Sequence, residues 1–144
     1  LPKNAVLSTL PIDEDISSLS AILLDDSYYD FLRKGRTQVA GVTVLDAPYL
    51  IPFKAKAWLD LSVRKKAGEH VDSRNIRKHK NDVFRLTELL EGDGTAPLHV
   101  PDAILSDMKA FMERMESEDV DLKQLGIFDK TKEEILNQLR IMYI

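Results

Sequence analysis

The alternation of apolar and polar positions divides the chain into a strand-like first third and a helical remainder. Residues 1–16 carry two prolines and an acidic cluster, hold no sustained period and read as an extended lead-in. Ser18 to Asp25, S-L-S-A-I-L-L-D, is a short apolar run between polar residues and predicts a buried strand. Asp26 to Lys34 predicts a short helix with Tyr28, Tyr29, Phe31 and Leu32 as its apolar content and Gly35 as its stop. Arg36 to Leu45 is rich in β-branched residues, and Gly41 interrupts it where a hairpin turn or bulge would fit.

From Asp46 onward the period becomes helical. Asp46 can cap a helix, but Pro52 lies too deep for an unbroken one from Ala47. Its ring crowds the preceding turn, and its missing N–H leaves a carbonyl without a donor. The expectation is a turn over Pro48–Ile51 and a main helix from Pro52 to about Lys66, ended by Gly68. Asp72 or Ser73 caps the next helix, which runs to Leu90 before the flexible Glu91-Gly92-Asp93-Gly94. Pro101 suits a helix start, and Ile104, Met108, Phe111 and Met115 repeat at helical spacing as core positions. Asp119 to Gly126 predicts a short helical piece. Thr131 and Glu134 form a capping box ahead of Ile135, Leu136, Leu139, Met142 and Tyr143, so the tail should dock.

This order predicts an α+β class: a small N-terminal sheet remnant of two or three strands, then a mainly α-helical bundle. The boundary falls between residues 46 and 47, giving a partial sheet region over 1–46 and a helical region over 47–144; a weaker boundary lies at Glu91–Pro97. So small a sheet is marginal alone and needs helices packed on it, or further strands before Leu1. No Met precedes Leu1, so the chain is expected to be part of a longer protein.

Three ionisable residues break the apolar stripes. At about 100° per residue, Leu50, Phe53, Ala57 and Leu61 share one face, with Lys54 near its middle. In the following helix Ile76, Val83, Leu86 and Leu90 form the stripe, and His79 and Asp82 fall within its arc. An inward lysine is costly without a partner. The bland reading is a snorkelling lysine stem and an aspartate that caps a turn or pairs with an arginine. Three such residues on two adjacent helices weigh against that reading and toward a shared site.

Charge sharpens this. Between Arg64 and Arg85 there are eight Lys and Arg against three acids, while the rest of the chain has 12 bases and 21 acids. A basic block in an acidic protein suits an anion, phosphate above all, although a solvated helix face has the same composition. The chain has no cysteine, which excludes disulfides, thiol chemistry and cysteine-held zinc or iron–sulfur centres. Neither a membrane-crossing apolar run nor a signal peptide is visible, so a cytoplasmic, non-membrane protein is expected.

The run Leu50-Ile51-Pro52-Phe53-Lys54-Ala55-Lys56-Ala57, about twenty residues ahead of Lys78-His79-Lys80-Asn81-Asp82-Val83-Phe84-Arg85-Leu86, resembles the C-terminal half of AbiEii-type nucleotidyltransferases. In that family a leucine-rich helix bearing a lysine and an alanine, here Leu50, Lys54 and Ala57, precedes a helix of pattern R-D-x-x-D-L-x-x-L. The second pattern matches at Asp82 and Leu86, with Lys78 for Arg and Val83 for Leu, and His79 stands where an Asp is usual. The resemblance covers Ser18 to about Leu90. It implies a polymerase-β-like enzyme that moves a nucleotide from an NTP to an acceptor, RNA or protein, with Mg2+ as cofactor. It further implies that Lys54, with Lys78 and His79, faces the nucleotide and that Asp82 takes part in catalysis. A toxin or phage-defence role with an antitoxin-type protein partner also follows from it.

The metal-binding half of such an enzyme needs a Gly-Ser turn, a D-x-D strand and a third acid, and none is found. Asp13-Glu14-Asp15 lacks the Gly-Ser and follows a proline, and Asp119-Val120-Asp121 opens a helix. The magnesium ligands are therefore expected outside this chain, which alone should be inactive. His70, His79 and His99 have no metal-ligand spacing, and no P-loop, dinucleotide or G-x-S-x-G motif occurs. Aromatics are not interleaved with the basic block as single-strand platforms require. The competing reading is a non-catalytic helical module binding protein or RNA. Open strand edges favour a homo-oligomer.

Overall fold

The computed structural model describes residues 5–6, 22, 25–90 and 97–144. It is mainly helical. Helix α1 (Asp26–Lys34) starts on Asp25, whose carboxylate accepts from the Ser27 N–H at 2.9 Å. Gly35 follows, and there the constraint is space: a Cβ on it would stand 2.4 Å from the Cβ of Tyr49.

Strands β2 (Arg36–Val39) and β3 (Val42–Leu45) pair antiparallel, with Arg36 opposite Leu45 and Val39 opposite Val42. Their two-residue turn has φ of 51° at Ala40 and 81° at Gly41. Positive φ at both positions is the turn whose twist matches a hairpin, so Gly41 serves as expected. Strand β1 (Ala5–Val6) lies parallel to β3 on its other side, giving the order β1-β3-β2. This third strand comes from the stretch read as a lead-in. Most of the strand expected over Ser18–Asp25 lies outside the described residues. Its Ile22 is described, and is buried and helical, with its carbonyl accepting from the Asp25 N–H at 3.0 Å.

Helix α2 (Ala47–Lys66) corrects the expected break at Pro52. It runs unbroken through that residue. Pro52 cannot donate to the carbonyl of Pro48 one turn back, and Tyr143 supplies the missing donor, its hydroxyl bonding the Pro48 oxygen. The Asp46 carbonyl accepts from the N–H groups of Tyr49 and Leu50 at 3.0 and 3.1 Å. Leu50, Ile51, Phe53, Ala55, Ala57 and Trp58 are all buried, so the first half of α2 is enclosed almost all round and is the axis on which α1, α3 and α4 pack.

Helix α3 (Ser73–Thr87) is capped by Asp72 through the Arg74 N–H at 2.9 Å, and continues as turns to Leu90. Helix α4 (Asp102–Met115) follows Pro101 and buries Ile104, Met108, Phe111 and Met115 as expected. Between α4 and the last helix, residues 122–126 form turns rather than the expected helical piece. Hydrogen bonds run from Leu125 to Leu122 and from Ile127 to Leu122, and Gly126 has φ 82°. Helix α5 (Lys132–Tyr143) carries the reciprocal Thr131–Glu134 capping box and buries Ile135, Leu136, Leu139, Met142 and Tyr143. One apolar cluster runs from Ile22 to Tyr143. No helix among the described residues is long and apolar enough to cross a membrane.

Candidate functional site

Lys54 and Asp82 meet at the α2–α3 packing surface. The Lys54 ammonium donates to Asp82 Oδ2 at 2.8 Å, and the two residues are 2% and 7% exposed. Helical spacing turned both inward, and the antiparallel packing of α2 and α3 closed the distance. Arg85, one turn along α3, reaches the other carboxylate oxygen at 3.4 Å. His79 lies fully buried one turn before Asp82, and Lys78 is half-buried beside it. The bidirectional grip on Asp82 leaves an ion pair sealed between helices.

A second polar knot joins α1, α2 and α4. Tyr28 donates to Asp107 Oδ2 at 2.8 Å, and Lys56 lies 3.4 Å from Asp60 and 3.5 Å from Asp107. Burial, then the charge of Asp107 and its hydrogen bond, push the Tyr28 hydroxyl far above the ordinary phenol range. Burial opposes the charge on Lys56, but Asp60 and Asp107 outweigh it and hold the ammonium above its usual value.

An open cleft of about 540 Å³ lies between the C-terminal half of α2, the N-terminal half of α3 and the end of α4. Lys65, Lys66, Arg77, Lys80 and Arg114 line it with a single carboxylate, Glu118. Its floor is Trp58, with the Arg114 guanidinium 4.9 Å from the ring centre and Phe111 edge-on at 5.6 Å. Of the basic block between Arg64 and Arg85, Lys65, Lys66, Arg77 and Lys80 line this cleft, Arg85 holds Asp82, and Arg64 pairs with Glu69 at 3.3 Å. Trp58 and Arg114 were missed. Trp58 is one of the buried residues of α2 and Arg114 sits outside the basic block, so folding alone joins them.

The described residues do not fit a magnesium centre. Both oxygens of Asp82 face cations, and no three His, Asp or Glu side chains among those residues gather as a metal-holding group. No family model matches the chain, and neither does any curated protein or solved structure.

Proposed function

We propose that the chain is the helical part of a nucleotidyltransferase of the AbiEii type, with magnesium carboxylates contributed by residues outside it. The buried Lys54–Asp82 pair carries this reading. An ion pair sealed between helices adds little stability over well-packed apolar side chains of similar volume, so its presence at the seam of α2 and α3 has a better account in chemistry. Lys54 supplies positive charge to the NTP phosphates and Asp82 holds that ammonium in place, with Lys78 and His79 alongside on α3. In this reading β1, β2 and β3 are the margin of a larger sheet, and an RNA or protein acceptor and an antitoxin-type partner complete the system.

The test is NMP transfer from labelled NTP by the chain joined to its metal-binding half. Because Lys54→Ala leaves Asp82 buried beside an empty site, the decisive variant is the apolar double substitution Lys54→Met, Asp82→Leu. A folded double variant without transfer supports the proposal; unchanged incorporation sinks it.

A second reading has its own observation. Lys54 is closed on Asp82 and 2% exposed, which suits a helical module that binds protein or RNA and does no chemistry. Nucleotide binding separates the two: heat on titrating magnesium and NTP into the joined chain favours the enzyme, and its absence with RNA still bound favours the module.

A further inference from the structure

The cleft at the α2–α3–α4 junction is not explained by the ion pair one turn away. Helix-end compensation accounts for part of its charge: Lys65 and Lys66 occupy the last turn of α2, where cations offset the partial negative charge of unpaired carbonyls. It does not account for Arg77 and Lys80. Arg77 stands toward the N-terminal end of α3, where the dipole is already positive, and Lys80 at its middle, far from the C-terminal carbonyls. Arg114 comes from a third helix.

Cations from three helices thus converge on one concavity, in a chain whose formal net charge is −4. Lys66 and Arg77 make no ion pair among the described residues. Lys80 is held by Glu118 Oε2 at 3.2 Å and by the Asp119 carbonyl at 2.9 Å, acceptors that an incoming oxyanion can replace. Ser62 and Ser73 add hydroxyl donors at the wall. The volume is that of a small-ligand site, and the spread of charge suits several linked oxyanions better than one.

We infer that this cleft binds a chain of phosphate groups, with Lys66, Arg77 and Lys80 as the principal contacts and Arg114 closing over Trp58. The phosphates come from a free polyphosphate, as in a nucleotide tail, or from a nucleic-acid backbone. The inference rests on the preceding proposal only for its biological setting. Binding needs no turnover and leaves Lys54 and Asp82 untouched, so its failure and the failure of that proposal are separately visible.

The experiment uses the 144-residue chain and its single tryptophan. Inorganic tripolyphosphate and a labelled single-stranded RNA 12-mer are titrated at moderate salt, about 0.1 M, reading Trp58 fluorescence and RNA anisotropy. Tripolyphosphate binding identifies a free polyphosphate as a sufficient ligand. RNA binding without it identifies the backbone as the source. Reversing Lys66 and Arg77 together to Glu should weaken either by about tenfold or more, since each lost phosphate contact removes counterion release. Glu118→Gln should tighten binding by freeing Lys80. Lys109→Glu changes an exposed cation on α4 outside the cleft and should leave binding within about twofold by screening at moderate salt. Absence of binding by both probes overturns the inference, as does equal loss from Lys109→Glu and from reversal of Lys66 or Arg77.

Discussion

The hydroxyl of Tyr143 bonds the backbone carbonyl of Pro48, 95 residues earlier in the chain. That carbonyl is the one Pro52 cannot serve, so the last helix completes the hydrogen bonding of the central one. Replacing Tyr143 with Phe should cost about 1–3 kcal/mol, the range for a buried acceptor left without its donor. Pro52→Ala restores the missing N–H, so the same Tyr143→Phe change should cost less in that background. Urea unfolding of the four proteins measures the coupling; strictly additive effects would show that the hydroxyl does not stand in for the proline.

The Lys54–Asp82 pair sets a second expectation. Asp82→Leu removes the 2.8 Å partner of a buried ammonium and should cost about 3–5 kcal/mol. Lys54→Met should cost less, because Arg85 still faces Asp82 at 3.4 Å. The double substitution should recover most of the loss. Thermal melts of the three variants decide it, and a double variant less stable than either single one contradicts this account.

Alkali should unfold the protein. Burial holds the hydroxyls of Tyr28 and Tyr143 protonated far above the usual range, and Asp60 and Asp107 hold Lys56 charged above its own, against the pull of burial. All three folded values lie above those of the unfolded chain, which are about 10 for each. Their stabilisation is therefore complete below about pH 10 and is lost as the pH rises beyond it. Far-ultraviolet circular dichroism across pH 8–12 should show the loss, and Tyr28→Phe should flatten it. A melting temperature constant to about pH 11 would rule this out.

The hairpin turn is improvable. Ala40 holds φ 51°, a left-handed conformation that an alanine Cβ disfavours by about 1–2 kcal/mol. Ala40→Asn supplies a residue suited to that position before Gly41 and should raise stability by about 0.5–1 kcal/mol. Calorimetry would register the gain as a higher melting temperature; a fall would mean that the turn does not limit stability.

Local period made much of the helical part readable. The stripe through Leu50, Phe53, Ala57 and Leu61 placed Lys54 inside, and the stripe through Ile76, Val83 and Leu86 did the same for His79 and Asp82. Caps at Asp72 and Thr131 act on backbone N–H groups only two or three residues along the chain, so they too could be read directly. Pro52 was misread because the group that satisfies Pro48 lies in another helix. The lead-in yielded a strand because a two-residue pairing carries no periodic signal, and its partner β3 provides the order.

The sequence by itself determined which faces of its helices turn inward, that a lysine and an aspartate lie on those faces, and that positive charge gathers around α3. Side-chain direction is fixed by helical repeat within a few residues, so these need no fold. Tertiary structure alone decided that Lys54 and Asp82 meet at 2.8 Å, that Arg114 covers Trp58, and that α2 continues past Pro52. Each of these depends on groups brought from distant segments by burial of a common core, and the distances that burial produces are properties of packing rather than of spacing along the chain.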